Sequence, residues 1–113
     1  MVSQSLEAAE VLAAEGIHAT VVDMHTLKPL DGTLVDRLVA NCGAIVTAED
    51  HNVIGGLGGA VAEHLTANSY APLERVGVQD RFGESGQADE MLEVMQISAP
   101  YIAEAAKRAV ARK

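Results

Sequence analysis

Three short apolar runs recur along this chain at nearly equal intervals, and that rhythm constrains its fold more than any other feature. Ile17–Met24, Ala44–Ala48 and Leu73–Val78 are rich in β-branched or small apolar residues, and their starts lie 27 and 29 residues apart. A strand, its crossover helix and the next parallel strand take about 30 residues. Runs that are apolar throughout, rather than alternating with polar residues, suit strands covered on both faces.

The intervening segments carry the helical period. Val2, Leu6, Ala9 and Ala13 share one face of a helix from Ser3 to Glu15, with Ser3 as N-cap and Gly16 at the left-handed position past its end. Asp31 is a strong N-cap for the next helix, and Leu30 and Val35 stand at the two hydrophobic-staple positions. Leu34, Val35, Leu38, Val39 and Cys42 form its apolar stripe, which Gly43 ends. From Gly56 a third helical face runs through Leu57, Ala60, Val61, His64 and Leu65. A fourth helix over Gln87–Met95 is expected to turn Ala88, Met91, Leu92 and Met95 inward. A fifth starts at Ser98, with Ile97 and Ile102 at staple positions, and runs towards Arg112. Its basic last turns suit the negative end of the helix dipole. The order α-β-α-β-α-β-α-α predicts an α/β fold: one domain over residues 1–113, three layers α/β/α, and a small, mainly parallel sheet with right-handed crossovers.

Charge and composition narrow the function. Acidic residues outnumber basic ones 16 to 8, and four of the basic residues (Lys107, Arg108, Arg112 and Lys113) crowd the C-terminus. Such an acidic body repels phosphate backbones, and aromatic residues are only 3% of the chain, so nucleic acid is not an expected partner. No apolar run approaches the length of a membrane span, and the N-terminus lacks the pattern of a signal peptide. The lone Cys42 supports neither an internal disulfide nor a zinc knuckle, so a cytoplasmic location is expected and Cys42 reads as a small buried hydrophobe.

The most distinctive local feature is Glu49-Asp50-His51-Asn52-Val53-Ile54-Gly55-Gly56-Leu57-Gly58-Gly59, between a strand and a helix. Ligands of α/β sheets bind at that edge, where glycines let backbone N–H groups approach an anion. Here, however, Val61 replaces the third glycine of a dinucleotide fingerprint, no Walker lysine is present, and Glu49 and Asp50 add negative charge. Tight strand-to-helix packing is the preferred reading, with a contact surface for another domain or subunit next. The four histidines form no ligand cluster. His64 reads as a hydrogen-bonded core residue, and His51 has a remote acid–base reading beside two carboxylates. Ser85 lacks nucleophile-elbow spacing and reads as a helix N-cap, while Arg81 is placed to pair with Asp80 or Glu84 or to reach a partner. No catalytic, cofactor-binding or metal-binding residue is assigned.

Val46-Thr47-Ala48-Glu49-Asp50-His51, Gly55-Gly56-Leu57-Gly58 and Ala60-Val61-Ala62-Glu63 together resemble the C-terminal domain of transketolase. Leu27-Lys28-Pro29-Leu30-Asp31 and Val76-Gly77-Val78-Gln79-Asp80-Arg81-Phe82-Gly83-Glu84-Ser85-Gly86 extend the resemblance over essentially the whole chain, with Gln79 where the family more often has proline. Deoxyxylulose-phosphate synthase and the β subunits of 2-oxoacid dehydrogenases share this domain and are alternatives. The resemblance implies a C-terminal domain or subunit of an enzyme that moves two-carbon ketol units between sugar phosphates. Thiamine diphosphate and magnesium belong to the complete enzyme, on upstream domains or a partner subunit, and none is expected on this domain. The domain is expected to be non-catalytic and to support dimer and domain assembly. Candidate interface residues are Glu49, Asp50, His51, Gly55, Gly56 and Gly58 with Arg81, Phe82 and Ser85.

In the family two strands precede the first helix, one of them central to the sheet, so the resemblance implies an N-terminally truncated domain. Either Ile17–Met24 is expected to close up against Ala44–Ala48, or another chain fills the gap. An alternative of another class is a small acidic phosphoreceiver-like module with Asp23 as acceptor, although no lysine follows the third strand.

Overall fold

The computed structural model describes residues Met1–Lys113 and contains five helices and two strands. In chain order these are α1 (Val2–Ala14), α2 (Gly32–Cys42), β1 (Ile45–Asn52), α3 (Leu57–Asn68), β2 (Leu73–Val78), α4 (Ala88–Val94) and α5 (Ala99–Ala111). β1 and β2 pair in parallel, Ile45 opposite Leu73 through Ala48 opposite Val76. The α3 crossover between them confirms the βαβ reading of this half of the chain.

Side chains alternate across β1 as a covered strand requires. Val46 and Ala48 pack into the larger core cluster with Leu12, Val76, Ile97, Ile102 and Ala105. Ile45 joins the smaller cluster of Val35, Val61 and Leu65 on the opposite face. Helices α1 and α5 therefore cover one face, and α2 and α3 the other, which gives the expected α/β/α layering.

The helix ends follow local chemistry, with some corrections. The Asp31 carboxylate accepts from the Leu34 N–H at 3.0 Å, and Leu30 packs with Val35, as the capping signals predict. Gly43 adopts the left-handed conformation past α2. Past α1, the Ile17 N–H donates to the Leu12 carbonyl and the Gly16 N–H to the Ala13 carbonyl, the two bonds of a Schellman turn. Gln96 occupies the equivalent position after α4 at φ 61°. Met1, not Ser3, is the N-cap of α1. Helix α4 starts after Gln87, so Ser85 caps nothing, and Ala88 is exposed while Met95 is buried. The Ser98 side chain makes no capping bond; instead Gln4 of α1 accepts from the Ala99 N–H at 2.8 Å.

The main correction concerns Ile17–Met24, which forms no strand. Residues 17–26 run without helix, strand, turn or bend, and no backbone group from His18 to Thr26 bonds to another backbone group. The sheet has two strands rather than three, and Ile17–Met24 does not close up against β1. A cavity of about 650 Å³ separates the two. Propensity makes this segment strand-like, but a strand needs a ladder partner, and none of these 113 residues supplies one.

The outer edge of β2 is tied to α5 by charge. Arg112 Nη1 and Arg108 Nε contact the two oxygens of Glu74 at 2.6 and 3.2 Å. Burial pushes the Glu74 carboxyl up, but the hydrogen bonds and charges of Arg112 and Arg108 outweigh it and hold it below its usual 4.5. A carboxyl depressed on folding stabilises the fold above its unfolded value, and that contribution fades as pH falls through the folded one. Urea midpoints measured from pH 7 to pH 3 should therefore fall less steeply for Glu74→Gln than for the unaltered chain. Leu12 is 2% exposed, so Leu12→Ala should cost about 2–4 kcal/mol in urea unfolding. The same change at exposed Leu6 should stay within about 0.5 kcal/mol.

Candidate functional site

The glycine-rich turn follows β1 and feeds α3. Its geometry is organised by Glu49. From the end of β1 the Glu49 carboxylate reaches back to the first turn of α3, where Oε2 accepts from the Leu57 N–H at 2.7 Å and Oε1 from the Gly58 N–H at 3.0 Å. Its side chain is 10% exposed. The N-terminal N–H groups of a helix are where an external anion would bind. Here the chain's own carboxylate holds that position. The glycines make the approach feasible: a Cβ at Gly56 would run into the carboxylate, and one at Gly58 would meet Arg75 Cδ at 2.8 Å and Thr47 Oγ1 at 3.0 Å.

A second loop is tied to this turn. Asn52 Nδ2 donates to Asp80 Oδ1 at 3.0 Å, the Asn52 side-chain oxygen accepts from the Ile54 N–H at 2.8 Å, and the Val53 N–H donates to the Val78 carbonyl at 2.8 Å. Asp80, at φ 49°, redirects the chain after β2. The loops after β1 and β2 thus stand side by side at the carboxyl edge of the sheet. Asn52 and Asp80 carry this link across 28 residues, and no local pattern announced it.

The predicted interface residues divide into two groups. Asp50, His51, Gly55, Arg81, Phe82 and Ser85 are exposed. Phe82 is 96% exposed and Ile54, on the neighbouring turn, 64%. Glu49, Gly56 and Gly58 point inward, and their work is to join β1 to α3. Arg81 pairs with Glu84 at 3.5 Å on the surface. The His51 Nδ1 lies 2.6 Å from the Asn52 carbonyl oxygen, which only accepts, so this nitrogen carries the proton; Glu49 is 3.9 Å away. No serine, threonine or cysteine hydrogen-bonds to His51.

The other histidine singled out is structural. His64 Nε2 lies 2.8 Å from Asp36 Oδ1, and Asn68 and Ser69 complete a polar tie between α2 and α3. No group of three His, Cys, Asp or Glu side chains is placed to hold a metal ion. The diphosphate of a thiamine cofactor needs donors and a cation. The helix N-terminus suited to it is taken by Glu49, and the donor set for the cation is not assembled, so these residues do not fit that group.

Removing the Glu49 carboxylate leaves two amides of a half-buried helix end without their acceptor. Glu49→Ala should cost about 1–2 kcal/mol in thermal or urea unfolding, whereas Asp50→Ala, on an exposed side chain, should change stability by less than about 0.5 kcal/mol.

The pattern of the family "Transketolase, C-terminal domain" matches residues 1–102. The 6-deoxy-6-sulfo-D-fructose transketolase subunit SqwH of Clostridium sp. (strain MSTE9) is 49% identical over 113 residues, all of this chain and 35% of that protein. A 1-deoxy-D-xylulose-5-phosphate synthase of Chlorobium luteolum is 44% identical over 108 residues, 95% of this chain and 17% of that enzyme. A putative transketolase C-terminal section of Methanocaldococcus jannaschii is 43% identical over 103 residues, 90% of this chain and 32% of that protein. Among solved structures, a split-gene transketolase described as an inactive β4 tetramer superposes with a TM-score of 0.93 at 46% identity, over 97% of this chain and 36% of that one. The chain thus spans about a third or less of these relatives. With residues 1–102 matched and the fold shared almost end to end, this chain belongs to the transketolase C-terminal-domain family.

Proposed function

We propose that this chain serves a transketolase-type enzyme as its C-terminal, non-catalytic section, and that the complete enzyme transfers two-carbon ketol units between sugar phosphates. The observation that carries the non-catalytic role is Glu49. Its carboxylate fills the one helix N-terminus at the carboxyl edge of β1, where a phosphate would otherwise be held. No nucleophile–base pair stands nearby. The thiamine diphosphate and its magnesium ion belong, in this reading, to another part of the enzyme.

The chain's own contribution is association. The paired loops after β1 and β2 present Ile54 and Phe82 to solvent, with Asp50, His51, Arg81 and Ser85 around them. An exposed aromatic within a polar rim is the usual composition of a protein contact. A dimeric enzyme in the cytoplasm accommodates this surface. The synthase relative from Chlorobium luteolum keeps deoxyxylulose-phosphate synthesis as a second reading of the whole enzyme, because it shares 44% identity over almost the whole chain. The receiver-like alternative loses its basis, since Asp23 is exposed on a segment that forms no strand.

Two measurements check this. Titration calorimetry of the chain with thiamine diphosphate and magnesium should give no binding tighter than millimolar; micromolar binding would refute the non-catalytic reading. Combined with the thiamine-binding part of the enzyme, fused to it or as a separate polypeptide, this section should support ketol transfer that neither part shows alone. Phe82→Asp should weaken that association at least about tenfold, with the melting point of the isolated chain unchanged within about 3 °C.

A further inference from the structure

The outer edge of β2 is closed by side chains of the chain itself. β2 pairs with β1 along one edge only, so its other edge ends the sheet. The ladder shows which groups face which way. The Pro72 carbonyl accepts from the Ile45 N–H and the Val78 carbonyl from the Val53 N–H, so Pro72 and Val78 face β1. Backbone groups alternate in direction along a strand, so Glu74 and Val76 face β1 as well. Leu73, Arg75 and Gly77 therefore turn their N–H and C=O groups outward. Such a row is a template on which another strand can pair.

Two of the three outward carbonyls are already taken. Arg112 Nη1, from the end of α5, donates to the Leu73 carbonyl at 3.3 Å. Gln79 Nε2, just past β2, donates to the Gly77 carbonyl at 3.1 Å. The Glu74 carboxylate helps hold the first donor in place: Oε1 accepts from Arg112 Nη1 at 2.6 Å, and Oε2 from Arg108 Nε at 3.2 Å. Gln79 is the residue that stands where the family more often has proline, and this bond is what its side chain does in the fold. Arg112 and Gln79 are both exposed, where a single hydrogen bond or ion pair adds little stability. Their placement at the two ends of the open row is better accounted for by what it prevents. Two copies of β2 related by a two-fold axis would run antiparallel, edge to edge, and would have to displace both donors. The exposed Arg75 at the centre of the row would then face its own copy, a like-charge contact. We propose that Arg112 and Gln79 close this edge to strand addition, and so keep the chain from extending its sheet through β2 onto the β2 of a second copy.

Sedimentation velocity and amide hydrogen exchange test this on the Arg112→Ala/Gln79→Ala double variant. The solution should contain about 0.5 M salt, which screens the facing Arg75 charges. The double variant should self-associate at least about tenfold more tightly than the unaltered chain. The amides of Leu73, Arg75 and Gly77 should slow at least about tenfold as its concentration rises. Arg108→Ala is the control. Arg108 shares the Glu74 carboxylate but touches no edge carbonyl, so its loss should leave association unchanged. Gln79→Ala alone keeps the Glu74 clamp and should show the same effect to a smaller degree, which preserves the test if the double variant unfolds. Variants that associate no more than the unaltered chain overturn the proposal. So does association that leaves the Leu73, Arg75 and Gly77 amides unprotected, an equal effect of Arg108→Ala, or protection of those three amides by self-association of the unaltered chain.

Discussion

A parallel strand between two layers of helices is cut off from water on both faces, so its backbone must be paired along both edges. In this chain β1 meets that condition on one side only. The ladder to β2 orders everything on that side: the α3 crossover, the packing of α5 on Val76, and the arginine clamp on Glu74. On the other side the helical layers continue, but the sheet between them stops at a cavity of about 650 Å³. α1 and α5 still pack through Ala8, Leu12 and Ile102, so the layers hold together around the discontinuity. An unpaired edge leaves a row of backbone groups without ladder partners, and here that row borders the cavity.

The glycine turn at the carboxyl end of β1 makes sense in the same terms. A strand-to-helix turn with several exposed N–H groups is an anion site in many α/β proteins. Here Glu49 satisfies those groups from within; Gly56 leaves room for its carboxylate, and Gly58 lets α3 pack closely on Thr47 and Arg75. The turn becomes a rigid support, joined through Asn52 and Asp80 to the loop that carries Phe82. A section without a phosphate cradle but with a stiff, partly apolar edge is suited to holding other parts of an enzyme in place.

Much of this was legible in the sequence, because it rests on local signals. Asp31, Gly43 and Leu30 with Val35 marked α2 by capping and staple chemistry that needs no tertiary partner. The run Leu73–Val78 matched β2 to the residue. What sequence missed depends on partners distant along the chain. Ile17–Met24 has strand composition, but pairing decides whether a strand forms. Helix α5 starts after Ser98 as expected, but its Ala99 N–H is satisfied by the Gln4 side chain, 95 residues away. Within the candidate site, tight strand-to-helix packing is the preferred reading of the glycine turn and holds for Gly56 and Gly58, while Glu49, expected at an interface, turns inward. Its inward role follows from a nine-residue reach between Glu49 and Gly58 that no motif spelled out.

The central claim is that this section supports a transketolase-type enzyme from a turn whose anion position is already held by Glu49. A crystal structure of the assembled enzyme with its cofactor tests this most directly. The account predicts Glu49 still bonded to the Leu57 and Gly58 N–H groups, the cofactor held elsewhere, and the Phe82 loop buried against another part of the enzyme. A cofactor phosphate at the N-terminus of α3, with Glu49 displaced, would contradict it.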